Sequence, residues 1–208
     1  MAADSKNARR QAVLAARRAL SPEVRRTEAD QLSAHLDAAV RDARTVCAYV
    51  PVGTEPGSPA LLDRLRQVCQ EVLLPVARTG PGGEHLALQW GRYVPGDVPG
   101  DVPGDLATGR FGVLEPPEPW LPAQAVARAQ VVLVPALAVD RTGVRLGRGG
   151  GFYDRSLPLC APGTRLVAVV RDDEVLDALP AEPHDVRMTH ALTPGSGLIA
   201  LAGRPTST

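Results

Sequence analysis

Lysine is almost missing from this chain: Lys6 stands alone beside 22 arginines. Codon bias in a GC-rich genome explains the arginines, and it gives extra weight to the one lysine that remains. Aromatic residues are scarce at 3%, so aliphatic side chains must fill most of the core. Net charge is absent. The 23 basic and 23 acidic residues balance, which removes the electrostatic case for nucleic acid or an anionic membrane as the main partner. Cysteine is sparse: Cys47, Cys69 and Cys160 form no CxxC pair and no Cys/His cluster with zinc spacing. Cys47 and Cys160 sit in or beside apolar runs and read as inert core thiols, which suits a reducing compartment. Long apolar runs are absent too, and Met1–Lys6 has no apolar signal region, so the expectation is a cytoplasmic protein with no membrane contact.

What is present is 208 residues, enough for one well-formed core with a helical appendage and short for two full domains. Val13, Leu14 and Leu20, then Leu32, Leu36 and Val40, fall at helical spacing. Ser21-Pro22-Glu23 interrupts them with a cap, a first-turn proline and a first-turn acid, predicting helices over 5–19 and 22–42. Arginine pairs at 9–10, 17–18 and 25–26 read as a solvated face. Thr45–Val50, closed by Pro51, reads as a buried strand, 58–70 as a helix, and Glu71–Pro75 as a second strand. His85–Trp90 alternates like a third, and Val131–Pro135 and Arg165–Val170 are strongly apolar strands.

Strands that alternate with helices predict the α/β class with a mainly parallel sheet. Val-Pro-Gly-Asp occurs three times over 94–105, a surface-loop insertion that no helix or central strand accepts. The spacing of Asp97, Asp101 and Asp105 matches no calcium loop. The tail, about 196–208, is expected to be flexible.

The chemistry concentrates after the strand at 131–134. Four of the five residues at 147–151 are glycine, with Arg145 and Arg148 around them. Glycine lets backbone N–H groups approach an anion closely, and guanidinium groups suit phosphate oxygens. Phe152–Leu157 reads as the start of a helix that would reinforce such a nest. A flexible loop is the plainer reading, and the spacing is neither the P-loop nor the dinucleotide fingerprint. The position after a buried strand, where open α/β sheets place ligands, favours the anion site.

The stretch Val134-Pro135-x-x-Ala138-x-Asp140-x-x-Gly143-x-Arg145-Leu146-Gly147-x-Gly149-x-Gly151-Phe152-Tyr153-Asp154-Arg155 resembles the signature of the 5-formyltetrahydrofolate cyclo-ligase family, also called 5,10-methenyltetrahydrofolate synthetase. Lys6-x-x-x-Arg10, Tyr49 to Glu55, Phe111-Gly-Val-Leu-Glu115-Pro116 and Pro183-His184-Asp185 resemble further segments of it, in order. The resemblance implies a single-domain, three-layer sandwich like the NagB/RpiA/CoA-transferase-like fold, with N-terminal helices. It implies a carbon–nitrogen ligase of the cyclo-ligase class. Such an enzyme closes 5-formyltetrahydrofolate to 5,10-methenyltetrahydrofolate with ATP and Mg2+ and releases ADP and phosphate.

It also implies roles. Lys6, Arg10 and the run Arg145, Leu146, Gly147, Arg148, Gly149, Gly150, Gly151, Phe152, Tyr153 contact ATP. Val50 and Glu55, with Arg148 to Phe152, border the folate. Arg145, Arg148 and Tyr153 act in catalysis, and Asp154 and Asp185 bind the metal. Read alone, Lys6 and Arg10 have surface charge as their plainer reading, against which the scarcity of lysine weighs for Lys6; Glu55 has loop polarity and Tyr153 packing as alternatives, and Asp154 is equally a helix cap. Trp90 and Trp120 read as packing rather than cleft wall. The expected partners are small molecules, acting on a monomer.

Overall fold

The computed structural model describes residues 2–95, 106–109, 111–182 and 185–202, with side chains described from residue 6. From residue 96 on, the Val-Pro-Gly-Asp repeat lies outside the described residues, as does the chain after 202.

Two helices open the chain, α1 (Ala2–Ala19) and α2 (Pro22–Ala39). Between them Ser21 caps α2 as expected, its hydroxyl accepting from the Val24 N–H at 3.3 Å. The second helix ends three residues before the predicted boundary because the chain turns at Val40, and Asp42 adopts a left-handed conformation. The elements that follow are β1 (Thr45–Cys47), α3 (Ala60–Val68), β2 (Glu71–Val76), β3 (Gln89–Arg92), β4 (Ala107–Thr108), β5 (Leu114–Glu115), β6 (Val131–Pro135), β7 (Ala138–Asp140), β8 (Arg145–Leu146), α4 (Phe152–Ser156), β9 (Arg165–Val169), β10 (Val175–Leu176), β11 (His190–Thr193) and β12 (Gly197–Ala200).

Among the described residues seven strands form the main sheet, in the order β12-β11-β9-β6-β1-β2-β3. The inner pairings are parallel and the two outermost are antiparallel, which makes this the expected α/β architecture. Alternate residues of each central strand serve opposite faces. Val131, Leu133, Val167 and Val169 meet α2 and α3 through Leu32, Leu36, Leu61 and Leu65. Val132, Val134, Leu166 and Ala168 meet Val126, Leu157 and Met188 on the other side. A strand covered on both faces must be apolar throughout, which is why β6 and β9 stand out in the sequence.

A smaller three-stranded sheet, β10-β7-β8, lies beside the first. Val13 and Leu14 of α1 pack on its apolar cluster of Leu137, Val144, Leu146 and Leu179. Buried Asp140 organises the turn that leads into β8. Its carboxylate accepts from the N–H groups of Thr142, Val144 and Leu179 at 2.8, 3.0 and 2.8 Å. Gly143 completes that turn at φ 88°, where a side chain would run into the Met188 carbonyl.

Three expectations need correction. The arginine pairs are not all solvated, because Arg17 is 1% exposed and its head is held by Glu174. Residues 197–200 are not a flexible tail: they pair with β11 as an edge strand, and Leu198 and Ile199 pack on opposite faces of the sheet. His85–Trp90 enters the sheet only from Gln89, since the turn around Pro81 to Gly83 allows His85 one isolated bridge, to Thr79. Trp90 is core and Trp120 packs under Arg78, in line with the packing reading of both tryptophans.

Candidate active site

The carboxyl ends of β1, β2 and β6 and the turn between β8 and α4 surround a cleft of about 760 Å³. That volume suits small organic ligands. Every site residue expected from the sequence lines it: Lys6, Arg10, Val50, Glu55, the run from Arg145 to Tyr153, Asp154 and Asp185. The packing of α1 on the small sheet carries Lys6 and Arg10 to residues far along the chain.

Opposite charges pair throughout the cleft. The Lys6 ammonium meets Glu182 at 2.9 Å and Asp185 at 3.3 Å. Its burial works against the charge, but the two acids outweigh this and hold its pKa above the usual lysine value. Asp185 is oriented by the Glu182 N–H, at 2.8 Å. Arg145 meets Asp154 at 2.5 Å, and Arg148 meets Glu55 at 3.1 Å across the mouth. Arg10 donates from Nε to the Gly147 carbonyl at 2.9 Å. Gly149 adopts φ 100°, a conformation that favours glycine, and the Arg10 guanidinium lies against this part of the loop.

Some donors have no partner. The Arg145 side chain is 6% exposed, yet its Nε and Nη1 groups are buried without an acceptor. The Tyr153 hydroxyl is likewise buried and unpaired. Burial pushes that phenol far above its ordinary pKa, against the pull of Arg145, so it stays a neutral donor. Buried donors without acceptors are costly, and their convergence on one cleft marks a place for an anionic or carbonyl-bearing ligand.

The glycine turn does not open a long helix. The α4 helix has five residues, so the anion-binding character expected at 147–151 rests on the loop backbone and the arginines rather than a helix dipole. Asp154 and Asp185 border the same cleft. Among the described residues no three His, Cys, Asp or Glu side chains gather into a metal cage. Two carboxylates beside donors suited to phosphate nevertheless fit Mg2+, which takes one or two carboxylates and fills its sphere with phosphate oxygens and water.

The model of the 5-formyltetrahydrofolate cyclo-ligase family matches residues 2–194. The chain belongs to that family. A relative from Mycolicibacterium smegmatis, named 5-formyltetrahydrofolate cyclo-ligase, is 54% identical over 201 residues, spanning 97% of this chain and all of its own. One of the same name from Escherichia coli is 29% identical, covering 86% of this chain and 94% of its own. Among solved structures, Aquifex aeolicus 5,10-methenyltetrahydrofolate synthetase superposes with a TM-score of 0.73 at 26% identity, over 98% of this chain and 95% of that one. The synthetase of that name from Mycoplasma pneumoniae shares the fold, with a TM-score of 0.62 at 19% identity over 88% of this chain and 94% of its own.

In this cyclo-ligase family member, sequence reasoning missed several cleft residues. His85 stacks on Phe152 with centroids 4.3 Å apart, and Phe111 meets both rings edge-on at 5.0 and 4.8 Å. The Nδ1–H of His85 donates to the Gly150 carbonyl at 2.5 Å, which ties this aromatic group to the glycine loop. The signal for it was the scarcity of aromatics, since the chain has only two phenylalanines and both face the cleft. Arg17, Tyr49 and Glu182 were missed as well, and no local spacing pointed to them. Glu115, in one of the family-like segments, is structural. It accepts from the Ala77 N–H at 2.7 Å and pairs with Arg78 at 2.8 Å.

Proposed function

We propose that the chain closes 5-formyltetrahydrofolate to 5,10-methenyltetrahydrofolate, with ATP activating the formyl oxygen and ADP and phosphate as products. The observation that carries this reading is the family match over residues 2–194, joined to a cleft in which phosphate-suited donors face two carboxylates. The formamide oxygen is a poor leaving group. Its attack on the γ-phosphorus expels ADP and converts it into a phosphate ester of an imidate. The N10 lone pair then adds to the formyl carbon, N10 gives up its proton, and the C–O bond breaks to release phosphate.

The chain's residues supply position and charge for these steps. Lys6, Arg10, Arg145, Arg148 and the N–H groups from Leu146 to Tyr153 hold the triphosphate. Val50 and Phe152 form apolar walls for the folate, and the Glu55 carboxylate accepts from its N–H groups. Arg145, Arg148 and the Tyr153 hydroxyl face the charge that develops on the transferred phosphoryl group. Asp154 and Asp185 are the residues that would hold Mg2+, which would neutralise phosphate charge there. All these groups come from one chain, which favours a monomer acting on small molecules in the cytoplasm. Among the described residues no helix is long and apolar enough to cross a membrane.

The test is direct. Purified protein given 5-formyltetrahydrofolate, ATP and Mg2+ develops the absorbance of the methenyl product, and omission of ATP abolishes it. No signal at high enzyme concentration sinks the reading.

A pH effect follows from Glu55. Burial pushes its carboxyl above the usual carboxylate range, while Arg148, the Val52 N–H and Arg17 pull the other way. Its ionised form is lost on acidification at a higher pH than for an exposed glutamate, so KM for the folate rises on that side. Glu55→Gln is expected to flatten this acid limb in a KM-against-pH profile. An unchanged limb in the variant rules out the role.

A further inference from the structure

Among the described residues, Arg17 is the cleft residue whose buried head is almost wholly committed to the protein and yet keeps a free donor edge. Its Nε donates to Glu174 Oε1 at 2.6 Å, and its Nη2 to Glu174 Oε2 and the Ala136 carbonyl, both at 2.7 Å. The third nitrogen, Nη1, is buried and has no acceptor, although the residue is 1% exposed and borders the cleft. The guanidinium is planar, so the two fixed nitrogens set the direction of the third.

Three observations narrow what Nη1 meets. First, Glu174 already balances the Arg17 charge, so the open N–H groups suit a neutral acceptor better than a phosphate. Arg10 and Arg155 donate to carbonyls of the glycine loop, at Gly147 and Gly151, whereas Arg17 donates to Glu174 and Ala136. Second, Arg17 lines the same cleft as Tyr49 and as Val50 and Glu55, which are assigned to the folate side. Third, Arg17 and Glu55 share a scaffold. The Arg171 N–H donates to Glu174 at 2.7 Å, while its side chain pairs with Glu28 at 2.7 Å and donates to the Thr54 carbonyl at 3.2 Å. Thr54 is the residue before Glu55. The donor at Arg17 and the acceptor at Glu55 are therefore set relative to each other by the same buried network.

A fixed donor and a fixed carboxylate that line one cleft can complement a cyclic amide edge, a ring C=O beside a ring N–H. We infer that Arg17 determines specificity for the ring of the substrate: its Nη1 donates to the lactam carbonyl of a reduced pterin while Glu55 accepts from the neighbouring ring N–H. This rests on the folate reading above and deepens it.

The experiment compares 5-formyltetrahydrofolate with its 4-amino-4-deoxy analogue, in which the ring carbonyl is replaced by an amino group. The wild-type protein is expected to prefer the carbonyl form at least about a hundredfold in kcat/KM, because a site built to hydrogen-bond a group rejects its absence strongly. Arg17→Met made together with Glu174→Gln, so that no carboxylate is left buried alone, is expected to lower that preference at least about tenfold. Arg17→Lys keeps the charge but not the fork, and it lowers the preference in the same direction. If the double variant fails to fold, Arg17→Lys carries the test. A merely structural Arg17 reduces both substrates by one factor and leaves their ratio unchanged. Product formed with an unchanged ratio, or a wild-type protein that accepts both rings equally, overturns the assignment to Arg17 alone. No product from the wild type at any concentration overturns the folate reading, and this inference with it.

Discussion

Arg145→Ala is expected to cut turnover of 5-formyltetrahydrofolate at least about a hundredfold while the protein stays folded. Arg145 lies along the glycine loop with Asp154 on one nitrogen and the Tyr153 ring 5.5 Å from its guanidinium carbon. Its other two nitrogens are buried and unpaired. A donor in that state has given up water without gaining an acceptor, a cost of about 1–3 kcal/mol that the free protein carries. A transferred phosphoryl group supplies the acceptor, and the stabilisation is greatest where its charge is greatest. The fold is spared because the side chain is held by a single ion pair and removing it relieves the unpaired donors. Steady-state assay at saturating ATP, with circular dichroism as the control for folding, decides the matter. Arg145→Lys recovers little, since an ammonium lacks the planar set of donors. Activity of the alanine variant within a few-fold of the parent refutes the role.

The second large effect is on stability. Glu174→Ala removes the partner of a guanidinium that is 1% exposed, leaving the Ala136 carbonyl as its remaining acceptor. Breaking a buried pair on one side costs about 3–5 kcal/mol, because the other charge stays behind in a poor medium for it. For a chain of this length that corresponds to a fall in Tm of roughly 10 °C. The same ion pair docks the far end of α1, the helix that carries Lys6 and Arg10, so KM for ATP is expected to rise as well. Thermal unfolding checks the first and steady-state kinetics the second. A Tm within about 2 °C of the parent shows that Arg17 finds another partner and refutes the account.

Much of the scaffold was legible because its strands are buried on both faces. Val131–Pro135 and Arg165–Val169 have no polar side to blur them, and short apolar runs of β-branched residues announce themselves. The glycine loop was legible for the opposite reason: its composition is too costly for an ordinary helix or strand. Residues 197–200 were not, since Gly197 and the preceding Pro-Gly-Ser favour disorder locally and only pairing with β11 makes them a strand. Arg17 was illegible in kind. Nothing in the pair Arg17-Arg18 tells which member faces inward, because Glu174 lies 157 residues away in the chain. Phe111 and His85 were hidden similarly, since they reach the cleft through turns rather than through an element with a period. Sequence pattern reveals what is repeated along the chain, whereas a cleft is assembled from what is brought across it.

Assembly across the chain sets when the cleft can form. Lys6 lies in the first turns of α1, and the Asp185 it meets is 179 residues later. During synthesis α1 leaves the ribosome well before Asp185, so the two can meet only after the 179 residues that separate them have been added. The cleft therefore cannot gather its full set of charges on a nascent chain. A chain that stops short of Asp185 has the glycine loop and the basic helix but lacks the acid that Lys6 meets, so the two walls of the cleft are not yet tied together.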